Sequence, residues 1–188
     1  MKIFSLALCI ICWGYSSAQN YILESDPAEV LSIVGSSSLH DWTVNAGEVN
    51  NLPLEMTLND KTIDLKAVEI SIPIATLDGG RGATMNGKIQ KALLATEHPN
   101  VIFKLDGAQV VNIADTTSIA GKLIIAGQTV SVDLDLAISS DGEQITLSGN
   151  EPMKMTDFGI EPPSALFGQI QTKDDISVAF ELKYKLEE

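Results

Sequence analysis

The sequence predicts an all-β protein: roughly eight antiparallel strands in an up-and-down sheet, closed into a barrel or folded as a sandwich, plus one short helix. Three observations carry this expectation. Apolar residues recur at every second position through long segments, short turn signals separate those segments, and one run near the middle switches to helical spacing.

Ahead of the strands, Met1-Lys2 gives a positive start, residues 3–13 an apolar run, and Ser16-Ser17-Ala18 the small residues that a signal peptidase reads. Residues 1–18 are therefore expected to be a signal peptide and 19–188 a single domain, exported to the periplasm or secreted. The apolar run is well short of the roughly 20 residues needed to span a bilayer, and no later segment approaches that length, so no transmembrane segment is expected. Cys9 and Cys12, the two cysteines, both lie inside the leader, which leaves the processed chain without disulfides or Cys-based metal sites. Leu8 and Ile11 precede them where a lipid-attachment signal wants a small residue, which argues against a lipoprotein.

Leu52, Leu54, Met56 and Leu58 open the alternating pattern. From Thr62 to Ile74 the parity switches from Ile63 and Leu65 to Val68, Ile70, Ile72 and Ile74, as one extra residue near Lys66-Ala67 would make it; such a bulge bends the strand. In the segment Thr84 to Leu105, Met85, Ile89 and Leu93 recur at helical spacing and share one face, with Lys88 and Lys91 pointing elsewhere. Gly87 weakens that helix, and Pro99 turns the chain from His98 back to strand at Val101-Ile102-Phe103-Lys104-Leu105. Val130, Val132, Leu134, Leu136 and Ile138 then alternate with polar residues, and Ile176, Val178, Phe180, Leu182, Tyr184 and Leu186 repeat the pattern. Asn59-Asp60, Ala126-Gly127-Gln128, Ser140-Asp141-Gly142 and Gly149-Asn150 read as the turns between strands.

The formal net charge of −13 repels phosphate backbones and anionic lipid, so no nucleic-acid partner is expected and membrane-surface electrostatics are a poor explanation of function. Aromatics are only 5% of the chain, and Glu181, Lys183 and Lys185 hold the polar face of the last strand. Both argue against an outer-membrane barrel with an apolar outer band.

The segments "VEISIPIATLDGG", "ALLATEHPNVIFKL", "IAGKLIIAGQTVSVDLDL" and "MKMTDFGIEPP" follow one another in an order that resembles the YceI-like family of secreted, lipocalin-like polyisoprenoid-binding proteins. The resemblance covers roughly residues 20–186. It implies an eight-stranded antiparallel barrel whose hydrophobic tunnel holds the isoprenoid tail of a polyprenyl or quinone-like lipid, with the helix near an opening. Leu93-Leu94 stands where many relatives carry Phe-Phe, and "GSSSLHDWT" replaces a strand of the form x-F-x-V-x-H, so the chain looks like a divergent branch.

On this reading the protein is a lipid-binding module and not an enzyme, with no cofactor beyond a bound isoprenoid lipid or quinone. Strand parity makes Ile70, Ile72, Val101, Phe103, Leu105, Val132, Leu134, Val178 and Phe180 the candidate tunnel residues. Trp42 and His40 are candidates for the tunnel mouth, where an amphipathic ring touches both tail and headgroup. Arg81, the only arginine, is the candidate for an anionic head, although Gly79-Gly80-Arg81-Gly82 fits no nucleotide fingerprint. Phe158 and Phe167 are expected to plug the barrel end, beside a loop that Pro162 and Pro163 stiffen. Ser38, His40 and Asp41 can be drawn as a hydrolytic triad, but adjacency in sequence supplies none of the required geometry. His40 and His98, far apart and without cysteine, make no metal site. The alternative of a different class is a stress- or redox-associated interaction module with a filled barrel.

Overall fold

Alternating segments pair antiparallel throughout, as their one apolar face requires. In the computed structural model, which describes residues 19–24, 30–51, 54–58, 61–113, 116–141, 143–165 and 167–186, the order is β1 (Gln19–Leu23), β2 (Leu31–Ser37), β3 (Asp41–Asn45), β4 (Asn50–Asn51), β5 (Leu54–Leu58), β6 (Thr62–Ala67) and β7 (Glu69–Pro73). Then come helix α1 (Ala83–Ala92), β8 (Asn100–Leu105), β9 (Gln109–Asn112), β10 (Thr116–Ile125), β11 (Gln128–Ser140), β12 (Gln144–Lys154), β13 (Ser164–Ala165) and β14 (Ile170–Leu186). The expected leader, Leu52, the expected turn at Asn59-Asp60 and Gly142 lie outside the described residues.

The sheet curls because its long strands serve two levels. At one level β14 pairs with β1, followed by β5, β6 and β9; at the other, β14 pairs with β2, and β2 with β3. The chain from β3 into β4 then runs along β7, through a bridge between Asn45 and Asp78 and pairing of Asn50 with Ser71. The path continues β7-β8-β10, while β10, β11, β12 and β14 span both levels. Each level is thus an eight-stranded antiparallel wall, the lipocalin-like barrel expected from the sequence.

The expected bulge links the levels. Ala67 lies opposite Glu55 and Leu65 opposite Met56, leaving Lys66 extra. The strand bends there, so β6 serves one level and β7 the other.

Gly149-Asn150 is a correction. It is no turn but the middle of β12, and the glycine is there for close approach: a Cβ would fall 2.6 Å from the Phe180 ring and 2.7 Å from the Asp135 carbonyl oxygen. By contrast, Ala126 and Gly127 do turn, both with positive φ, and Asp141 accepts bonds from the backbone N–H groups of Gln144 (2.8 Å) and Glu143 (3.1 Å) as a turn carboxylate does.

The level built on β1, β5, β6 and β9 is filled. Tyr21, Ile63, Leu65, Val111, Ile145 and Tyr184 are essentially inaccessible there, and burial pushes the Tyr21 phenol above its usual pKa. At the other level the buried groups divide into two clusters, Val44, Ala46, Ile72, Ile74 and Leu77 on one side and Ala126, Met155, Phe158 and Ile160 on the other. The space between them is the site.

Candidate functional site: a cavity under the helix

The cavity occupies about 560 Å³, within the range of small-molecule pockets. Its floor is the top of the filled core, where Leu65, Ile119, Leu136, Leu147, Leu182 and Tyr184 meet it. Strand parity makes the wall: Ile70 and Ile72 from β7, Val101 and Phe103 from β8, Leu134 from β11, Val178 and Phe180 from β14. Trp42, His40 and Arg81 also line it, the latter two near the opening.

Two of the expected tunnel residues are placed elsewhere. Leu105 and Val132 do not line the cavity; they are half-buried against the main core cluster. Parity gives the correct inward face for both, but inward is not the same as open. Phe167 is a clearer correction: where Phe158 is buried and plugs the end, Phe167 is fully exposed, at 108% of its reference area. It sits with positive φ (56°) at the tip of the β13–β14 hairpin, and that geometry lifts the ring off the barrel.

Helix α1 covers the opening. Gly82 precedes it with φ 71°, and the Asn86 side chain accepts the Gly79 N–H at 3.0 Å, fastening the helix start to the loop before it. Met85, Ile89 and Leu93 face the cavity as their spacing requires, together with Thr84 and Ala92. Lys88, expected to point away, also reaches the lining, because it stands one turn after Thr84 on the same side. The helix ends at Ala92; Leu94 takes positive φ (52°) and accepts the His98 N–H at 2.9 Å before Pro99 restarts the strand.

Trp42 lies across Gly35, on the neighbouring strand, so closely that a Cβ at Gly35 would collide with its ring. Its indole Nε1 is buried without an acceptor among the described residues. Such a donor, left without an acceptor, costs about 1–3 kcal/mol.

Sequence reasoning missed Glu151. It is the only carboxylate lining the cavity among the described residues, flanked on the inner face of β12 by Gly149 and Met153, and its Oε2 stands 3.4 Å from the Asp135 N–H at the point where β11 and β12 separate. The alternation Ile145, Leu147, Gly149, Glu151, Met153 carries the signal, and reading Gly149-Asn150 as a turn hid it.

The paper triad is not assembled. The Ser38 hydroxyl accepts the Gln171 N–H at 3.1 Å and lies 3.5 Å from the Gln169 carbonyl oxygen, while His40 Nδ1 lies 2.7 Å from the Asp41 carbonyl oxygen. Ser37 shapes the β2–β3 turn, its hydroxyl donating to the His40 carbonyl and accepting N–H groups from Leu39 and His40. Among the described residues, no group of three or more His, Cys, Asp or Glu is placed to hold a metal ion. No helix there is long and apolar enough to cross a membrane.

The sequence model of the YceI-like domain matches residues 32–184, which is most of the chain and every strand that walls the cavity. The chain belongs to the YceI-like family. Solved structures share its fold. A polyisoprenoid-binding domain from Saccharophagus degradans, implicated in plant cell wall breakdown, aligns with a TM-score of 0.64 at 15% identity, over 91% of this chain and 100% of that one. BcnA from Burkholderia cenocepacia aligns at 0.62 with 16% identity, over 82% of this chain and 94% of that one. The YCEI protein of Campylobacter jejuni aligns at 0.59 with 20% identity, over 77% and 84%. No curated protein shows a significant match.

Proposed function

We propose that the protein binds an isoprenoid-type lipid, polyprenyl or quinone-like, in the cavity under α1, to carry or store it without chemistry of its own. The observation that supports this most is the lining. Some 560 Å³ of space is walled by aliphatic and aromatic side chains, while Arg81, Lys88 and Glu151 are its only charged residues among those described. Each CH₂ removed from water contributes about 0.8 kcal/mol, so a tail held by the wall alone binds tightly. Affinity then comes from the wall and selectivity from the rim, where Arg81, Lys88 and His40 stand ready for a polar head. The polyisoprenoid-binding domain of Saccharophagus degradans, a member of the same fold, supports the ligand class. The leader-like residues 1–18 support a periplasmic or secreted setting. A filled barrel acting only as a docking module is disfavoured by the same space.

Trp42 supplies the test. The other tryptophan, Trp13, falls within the expected leader, so in protein beginning at Gln19 tryptophan fluorescence reports on the cavity wall alone. Titration with a prenylated quinone is expected to quench Trp42 saturably, and Val178→Phe, which narrows the cavity, to weaken that binding at least about tenfold. Quenching that is absent, or indifferent to Val178→Phe, would refute the reading.

A further inference from the structure

Phe167, Val110 and Leu39 are the three most exposed large hydrophobic residues among those described, at 108%, 68% and 66%; Val110 stands on β9 at the filled level, whereas the fold brings Phe167 and Leu39 to one end, beside the cavity. Leu39 tips the β2–β3 turn and Phe167 the β13–β14 hairpin. Ser38 ties the turns to each other, its N–H donating to the Gln171 carbonyl at 2.9 Å and its hydroxyl accepting the Gln171 N–H at 3.1 Å; Thr172 N–H donates to Pro163 across the hairpin at 3.0 Å. Leu39, Pro163, Ser164 and Ile170 also line the cavity, so both tips stand at its mouth. Arg81, in the loop just before α1, and Lys88, on α1, belong to the same lining.

We propose that this mouth docks on the surface of an anionic lipid bilayer, with Leu39 and Phe167 inserted among the acyl chains and Arg81 and Lys88 against the phosphates. The proposal rests on the lipid-binding reading and adds to it the route by which the ligand enters. Three features select a bilayer over a protein partner. The apolar residues are separate tips flanking an opening, which suits a fluid surface that closes round each one, whereas a protein interface needs a contiguous, complementary patch. The rim cations run against a net charge of −13, so the body of the molecule is repelled by an anionic bilayer while Arg81 and Lys88 are drawn to it, which orients the approach. Exposed Asp41 and Glu161 adjoin the rim in sequence without lining the cavity, and Glu151, the one carboxylate in the lining among the described residues, leaves the two cations in excess there. Finally, a ligand with a long apolar tail dissolves in membrane and not in water, and a docked mouth lets it pass between the two without crossing the aqueous phase.

Flotation of the processed protein with vesicles of phosphatidylethanolamine and phosphatidylglycerol tests this, with pure phosphatidylcholine vesicles beside them. The wild type is expected to float with the anionic vesicles and less with phosphatidylcholine. Leu39→Ser/Phe167→Ser is expected to lose at least about tenfold of that association, and Arg81→Gln/Lys88→Gln to lose the preference for anionic vesicles. Circular dichroism of the variants checks that these surface changes leave the fold intact. A wild type that stays with the soluble fraction, or a Leu39→Ser/Phe167→Ser protein that floats as well as wild type, would overturn the proposal; Phe167-dependent cross-linking to a protein without flotation would do so in favour of a protein partner. Organic extraction of the same samples separates the two readings: protein that holds lipid but does not float rejects docking alone, and protein that floats but neither holds nor takes up lipid rejects the cavity reading.

Discussion

Single side chains close this barrel where the backbone ladder stops. Gln109 is the plainest case: its amide donates to the Ala120 carbonyl at 2.7 Å and accepts the Ala120 N–H at 3.0 Å, standing in for a peptide unit between β9 and the part of β10 that β8 does not reach. Gln109→Ala is expected to cost about 1–2 kcal/mol in urea unfolding, and Gln109→Glu, which keeps an acceptor and removes the donor, a comparable amount. Gly149→Val forces a side chain into the Phe180 ring and the Asp135 carbonyl and is expected to cost about 1–3 kcal/mol. At this scale the sequence reveals the faces of the strands well. Val101, Leu134 and Val178 line the cavity as parity says, because parity follows from the backbone alone. Which inward residue borders space and which borders another side chain, the distinction that separates Leu134 from Val132, depends on the opposite wall. No local pattern encodes that.

Among the elements, the one-turn segment Met155–Phe158 behaves as a plug held by a carboxylate. Asp174 accepts the Thr156 hydroxyl at 2.7 Å and its N–H at 2.9 Å, and these bonds, the hydroxyl foremost, hold the Asp174 carboxyl below its usual pKa. The bond therefore contributes its full stability above about pH 4, the unfolded value, and loses it as the pH falls through the lowered one. Asp174→Asn is expected to weaken the fold at neutral pH and to flatten the acid limb of the stability curve. Near-UV dichroism from pH 7 to 2 checks this, an unchanged acid limb being the contrary result. Phe158→Ala, removing the plug itself, is expected to cost about 3–5 kcal/mol. Helix α1 is the weak element by comparison: Gly87 has open space where a Cβ would stand, so Gly87→Ala is expected to stabilise by up to about 1 kcal/mol. The helix and the Lys66 bulge were legible in the sequence, because a change of apolar period and a parity slip leave a local trace. The exposed hairpin tip was not. Phe167 reads as a buried aromatic until the positive φ at residues 167 and 168 turns it outward.

For the whole molecule, one long strand decides the design. β14 runs through both levels, pairing with β2 around the cavity and with β1 around the filled core, so the packed end acts as the rigid base on which the hollow end is built. Stability and binding are then largely separate properties. Changes at Tyr184 or Leu65 meet both, while changes at Val178 or Ile70 should alter what is bound more than whether the chain folds. Native mass spectrometry of the processed protein from its own host, followed by organic extraction, tests the central claim most directly. The account predicts a stoichiometric prenyl-lipid or quinone mass that is lost in Val178→Phe while the fold persists. A clean apo mass after gentle isolation, with no uptake of added prenyl lipid, would contradict it.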